Sequence, residues 1–219
     1  MSKNVNSPSP TKREYHAPKR AHQAATTKHA ILGAARELFI TQGYATTTVA
    51  QIAASAGVAV DTVYATVGRK PLLLRELVET SISGTDDAIP AEERDYVRRV
   101  REASGALEKI TIYARAIGVI QTRLVPVFIA LREAAVTDAE CAQLWQGIAQ
   151  RRSQNMRLFA SDLLATGEVR QDLSLEDMAD IIWSMNSSEY WVLLVRERGW
   201  TTERFTNWLV DAWSRLLLA

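Results

Sequence analysis

The constraint that most narrows this chain is the spacing of its apolar residues, which runs at three and four along most of its length and breaks at glycines. Within 26–42, Ile31, Ala34, Ala35, Leu38 and Phe39 fall on one helical face. Thr26 or Thr27 can cap that helix and Gly43 ends it. A polar loop over 44–48 ends in a good N-cap, and Val49, Ile52, Ala53 and Ala56 mark a second, short helix closed at Gly57. The spacing predicts a third helix over 58–67, with Val60, Val63 and Val67 on one side, ended by Gly68. Lys70-Pro71 opens a fourth, since proline is well placed in a first turn.

Beyond a loop at 83–90 the pattern stays helical. Residues 91–102 are charged at nearly every turn and read as a solvated helix laced with exposed ion pairs, each worth little. A helix over 104–121 carries Leu107, Ile110, Tyr113, Ala114, Ile117 and Ile120 on one face. A separate helix over 122–135 follows, with Pro126 early in it, and then a long one over 138–166 stopped by Gly167. Ser174 with Glu176 and Asp177 is a capping signature for a penultimate helix over 175–198, and a last helix covers 201–218. The expectation is an all-α fold of about nine helices, a three-helix N-terminal unit followed by a larger helical domain.

Composition excludes several chemistries. The single cysteine, Cys141, cannot build a disulfide framework or a thiolate zinc cage. His16, His22 and His29 all precede residue 30, so the body holds no histidine for a metal site or a nucleophile–base pair. It also lacks a phosphate-cradling glycine loop and a dinucleotide fingerprint. No catalytic residue, metal or cofactor is expected. No apolar run is read as reaching the roughly 18 residues of a membrane span, and the expected location is cytoplasmic.

Charge is unevenly placed. The formal net charge is +1, yet residues 1–30 carry Lys3, Lys12, Arg13, Lys19, Arg20 and Lys28 against Glu14 alone. That segment is therefore +5 and the remainder −4, a common layout for nucleic-acid binders and also that of a plain solvated tail. The expected organisation is a disordered basic arm over 1–22, a helix-turn-helix domain over 23–79, and a helical domain over 80–219.

Two short helices meeting at Gly57 have the dimensions of a helix-turn-helix, although a three-helix packing corner has them too. In the first case the second helix enters the major groove and its first residues reach base edges. Ala59, Val60 and Thr62 are then candidates for base contact, with Thr66 just beyond, and Ala59 and Thr62 can touch a thymine methyl. Lys28, Thr47, Thr48, Tyr64 and Lys70 are phosphate-type donors.

The order and spacing of these phrases resemble the N-terminal domain of TetR-type transcriptional repressors over residues 28–79. The resemblance runs through Ile31-Leu32-Gly33-Ala34-Ala35-Arg36-Glu37-Leu38-Phe39, Gly43-Tyr44, Thr46-Thr47-Thr48-Val49-Ala50-Gln51-Ile52-Ala53 and Ala56-Gly57-Val58. It continues through Thr62-Val63-Tyr64 and Gly68-Arg69-Lys70 to Leu72-Leu73-Leu74. The chain departs from the family where Tyr64-Ala65-Thr66-Val67 replaces the usual aromatic, histidine-containing stretch, so operator preference does not carry over.

The resemblance implies a homodimer on double-stranded DNA with an effector-binding C-terminal domain. It implies that the last two helices pair with their symmetry mates, which assigns Trp191, Phe205, Trp208, Leu209, Ala212, Trp213 and Leu216 to the dimer seam. It places an effector pocket between the central helices, for which the candidates are Tyr113, Ile117, Phe128, Leu131, Trp145, Phe159, Trp183, Asn186 and Tyr190. Read from residue type alone, any of these aromatics serves equally as core. Arg132, Glu133 and Glu189 are expected to pair or face solvent, whereas Glu189 turned into the pocket would favour a cationic effector. The expected function is a regulator, a repressor released from a palindromic operator by a small, largely apolar effector. The alternative is a helical DNA-binding protein with no small-molecule input.

Overall fold

The computed structural model describes residues 17–219, with side chains from Arg20 onward. Its helices are α1 (Ala17–Thr41), α2 (Val49–Ala56), α3 (Val60–Thr66), α4 (Lys70–Ser83), α5 (Asp95–Glu102), α6 (Ala106–Ala134), α7 (Ala139–Leu164), α8 (Leu175–Met185), the short α9 (Ser188–Trp191) and α10 (Thr202–Leu217). A 3-10 turn, Ala91–Glu93, precedes α5. The described residues hold no strand, only a bridge between Val169 and Leu218 that fastens the end of α10 to the turn before α8. The fold is all-α with an N-terminal helix-turn-helix domain.

Local chemistry accounts for the sharp corners. Thr48 and Gln51 form a capping box at the start of α2, each side chain taking the other's backbone N–H. Gly57 closes α2 at φ 67°, a left-handed conformation that a residue with a Cβ adopts at a cost. Ser174 and Asp177 form a second capping box, on α8.

Four expectations about the elements are corrected. Helix α1 starts at Ala17 rather than at Thr26, so 17–22, assigned to the disordered arm, are helical; Pro18 lies in the first turn, where its missing N–H is no loss. The rest of the expected arm, residues 1–16, lies outside the described residues. The helices expected over 104–121 and 122–135 are one, because Thr122 bonds back to the Val119 carbonyl (2.7 Å) and caps nothing, and α6 runs on through Pro126. That union makes α6 long and apolar enough to cross a membrane by composition, although 61% of its apolar window is buried inside the fold. The single helix expected over 175–198 breaks at Asn186, where Ser187 caps the new start at α9, and Val192–Glu197 then unwinds into wider π-type turns.

Two apolar clusters fill the molecule. The first joins Ile31, Phe39, Ile52, Val63 and Leu74 of the N-terminal helices to Leu124, Phe128 and Leu131 of α6 and Ile148 of α7. The end of the helix-turn-helix domain is thus a boundary along the chain and not one between cores. The second cluster holds Ile110, Phe159, Leu163, Ile182, Phe205, Leu209 and Trp213. It depends on a close crossing of α6 and α10, for a Cβ at Gly118 would collide with the Thr206 hydroxyl.

Candidate nucleic-acid interface and cavity

Helix α3 turns Val63 into the core and leaves Ala59, Val60, Asp61, Tyr64 and Ala65 exposed, with Thr62 and Thr66 half-buried beside them. Tyr64 is 49% exposed and Val60 38%. Thr48 is exposed too, its hydroxyl accepting the Gln51 N–H (3.2 Å). Of the DNA-contact candidates, six therefore share one outer surface: Thr48, Ala59, Val60, Thr62, Tyr64 and Thr66.

The other three are internal struts. Thr47 is buried and donates to the carbonyls of Gly43 (2.8 Å) and Leu38 (3.3 Å), pinning the loop to α1. The Lys28 ammonium is held by Glu76 (2.9 Å) and Asp87 (3.1 Å), and the bond to Glu76 is the main force raising its pKa. The Lys70 ammonium donates to the Tyr44 carbonyl (2.6 Å) and sits 4.1 Å above the centre of that ring; burial pulls its pKa down. Tyr44 in turn donates to Asp138 (2.8 Å), while Arg69 pairs with Glu140 (2.8 Å), tying the domain to the start of α7. Arg36 reaches Ser81 (3.1 Å) and the Arg123 carbonyl (2.7 Å). No Lys or Arg lies between Arg36 and Arg69, so the helix-turn-helix carries no cation of its own.

Behind this domain lies a cavity of about 650 Å³. Helix α4 walls it with Glu79 and Ile82, α5 with Tyr96, Val97 and Val100, α6 with Tyr113 through Phe128, and α7 with Ile148 through Asp162. Among the pocket candidates Tyr113, Ile117, Phe128, Phe159 and Asn186 line it. Leu131, Trp145, Trp183 and Tyr190 do not. Leu131 is sealed in the first cluster, and Trp145 packs on the far side of Phe128 at 4.5 Å between ring centres. Trp183 lies under the Arg152 guanidinium at 4.8 Å, and Tyr190 stacks outside on Trp208 at 5.6 Å. The α5 wall was hidden in the sequence by its charges, although Tyr96, Val97 and Val100 do repeat at three and four.

One end of the cavity is polar. Asn186 donates to the Tyr113 oxygen (2.8 Å) and accepts from Arg152 (2.8 Å), which also donates to the Trp183 carbonyl (2.6 Å). Gln121 donates to the Asn186 carbonyl (2.7 Å) and accepts from Ser188 (3.1 Å). Burial pushes the Tyr113 phenol well up and the Arg152 guanidinium down from their ordinary values. Glu189 is turned outward to Arg132 (3.9 Å), so the route to a cationic effector through that residue is closed.

The expected dimer seam divides between two faces. Trp191, Phe205, Leu209 and Trp213 are buried in the chain's own second cluster, Trp213 stacking on Tyr113 at 5.7 Å, and cannot meet another chain. Leu216 is exposed, and Trp208 and Ala212 are half-buried at the edge of the same cluster, each leaving part of its surface on the outer side of α10. Near them lie Tyr190 and Trp200, both against Trp208, and Leu193, half-exposed in the π-type turns. The apolar stripe of α10 is wide enough to serve both sides, and the Gly118 crossing decides which side faces in.

Residues 31–76 match the family model described as "Bacterial regulatory proteins, tetR family". None of the curated proteins matches the chain. Among solved structures, NalD, described as the secondary repressor of the MexAB-OprM multidrug efflux pump in Pseudomonas aeruginosa, is 17% identical with a TM-score of 0.69, covering 90% of this chain and 98% of its own. MbdR from Azoarcus sp. CIB is 18% identical, TM-score 0.64, over 85% and 96%. A Saccharomonospora viridis protein in complex with choline is 15% identical, TM-score 0.65, over 88% and 97%. At these identities the likeness is one of fold.

Proposed function

We propose, from the match of residues 31–76 to the tetR family model, that the chain is a TetR-type transcriptional regulator that acts as a cytoplasmic homodimer released from a palindromic operator by a small, largely apolar effector. In this reading the protein is a regulator and not an enzyme, and repression is its mode. Each subunit sets α3 into one major groove, the two helices about one turn of DNA, roughly 34–36 Å, apart. Ala59, Val60 and Thr62 meet base edges and Thr48 and Tyr64 meet phosphates. A second copy covers the outward face of α10 around Trp208, Ala212 and Leu216.

The observation that carries the reading is the double duty of α4. This helix begins at the end of the helix-turn-helix and, about three turns later, walls the cavity with Glu79 and Ile82. An occupant that favours one placement of α4 changes the spacing of the two recognition helices, and shifts the equilibrium only by its differential affinity for the two placements. The choline complex of the Saccharomonospora viridis protein supports the idea that this fold takes a small guest.

The test is DNA retention in a gel shift with a library of small apolar compounds, run beside Ile117→Trp, which narrows the cavity at its apolar middle. Some compounds should release the wild type and none the variant, while both bind DNA alike without compound. Release of both alike would move the input elsewhere. A protein that no compound releases is the constitutive or protein-regulated alternative.

A further inference from the structure

The polar end of the cavity has hydrogen-bond donors in excess, and their arrangement defines what the cavity accepts. Arg152 has five N–H groups and uses only those of one terminal nitrogen, on the Trp183 carbonyl and the Asn186 side-chain oxygen. Among the described residues it forms no ion pair; the neighbouring carboxylate, Glu189, is turned to Arg132. The Tyr113 hydroxyl hydrogen finds only the Met156 sulfur (3.2 Å), a weak acceptor. A half-buried guanidinium that no carboxylate touches, with Glu189 acting on it only from a distance, is costly to hold unless an anion completes it.

The other charges of the wall do not fill this role. Glu79 is bound by Arg151, Arg94 donates to the Ile89 carbonyl (3.2 Å), and Glu92 and Arg101 are exposed to solvent. Asp162 also lines the cavity, but it lies ten residues farther along α7, about 15 Å away along the axis. Apolar lining extends from this polar group in both directions, with Ile120, Leu124 and Phe128 toward the start of α7 and Phe159 toward its end.

We propose that the cavity binds a monocarboxylate with an apolar tail, its carboxylate taken by the free edge of the Arg152 guanidinium and by the Tyr113 hydroxyl, its tail laid along α6 over Ile117, Ile120 and Leu124 toward Phe128. This rests on the reading of the cavity as the effector site and adds the charge and orientation of the guest. A planar guanidinium edge matches a carboxylate with two parallel hydrogen bonds, which an alcohol or an ammonium cannot reproduce.

The test is calorimetric titration of the full-length protein with three probes of one tail length: decanoate, decan-1-ol and decyltrimethylammonium. Decanoate should bind at least tenfold more tightly than either. Arg152→Gln should remove that preference while decan-1-ol binding stays as it was, and Arg152→Lys should keep part of it. Thermal melts of both variants report whether the fold persists, and the ranking of the three probes on the wild type stands even if neither variant folds. Equal or tighter binding of the alcohol or the cation, binding of none, or indifference of decanoate to Arg152→Gln in a folded variant overturns the proposal. The effector reading fails separately: a neutral or cationic compound that releases DNA through the cavity preserves that reading and removes the anion.

Discussion

The DNA-reading end and the cavity treat positive charge in opposite ways. In the N-terminal domain Lys28, Arg36 and Lys70 are all turned inward as struts, to Glu76 and Asp87, to Ser81 and the Arg123 carbonyl, and to the Tyr44 carbonyl. The surface of α3 is left with small side chains, hydroxyls and Asp61. In the body, Arg152 is kept beside a cavity with no ion-pair partner. The first arrangement suits a surface that reads shape and methyl groups and draws its phosphate attraction from flanking segments. The second suits a site whose missing partner arrives from outside. A cation in a sequence thus indicates binding only after its internal partners are known.

Ways to break this contrast run from large to small. Trp213 is fully buried on Tyr113, so Trp213→Ala should cost about 3–5 kcal/mol in denaturant unfolding. A cost under 1 kcal/mol would put the tryptophan back on an outer face. On the opposite side of α10, Trp208→Glu with Leu216→Glu should weaken dimerisation at least a hundredfold, about 2.7 kcal/mol, by sedimentation, with helical content kept. A double variant as dimeric as the wild type would place the interface elsewhere.

Smaller effects separate struts from readers. Thr47→Ala removes one hydroxyl donor shared between the Gly43 and Leu38 carbonyls and should cost about 1 kcal/mol of stability. Thr62→Ala should leave stability alone and change preference at one operator position per half-site by about 1 kcal/mol, measured on a panel of substituted duplexes. Uniform weakening on every duplex would mean a phosphate contact. Lys28→Gln should leave the salt dependence of DNA binding unchanged, since its ammonium is already occupied; a log–log slope shallower by about 0.9 per subunit would return it to the DNA surface.

What was legible in the sequence was local. Thr48–Gln51, Gly57 and Ser174–Asp177 mark helix ends through bonds within a few residues, and those corners appear where the pattern puts them. What was hidden depends on partners far along the chain. Lys28 meets Asp87 across 59 positions and Tyr44 meets Asp138 across 94. The α10 stripe reads as one apolar surface, and only the crossing at Gly118 separates Trp213 from Trp208. The Asn186 break escaped because a short polar stretch within a helical pattern is also tolerated on an exposed face, whereas here Asn186 is buried and committed to Arg152 and Tyr113.

The central claim, that α3 reads DNA as one half of a symmetric pair, is tested most directly by selecting duplexes from a random pool with the full-length protein and repeating the selection with Val60→Asp, which sets a second acid beside Asp61. The account predicts an enriched palindrome whose half-site centres lie about 10 base pairs apart, and no enrichment with the variant. An enriched site without two-fold symmetry, or the same palindrome recovered by Val60→Asp, would contradict it.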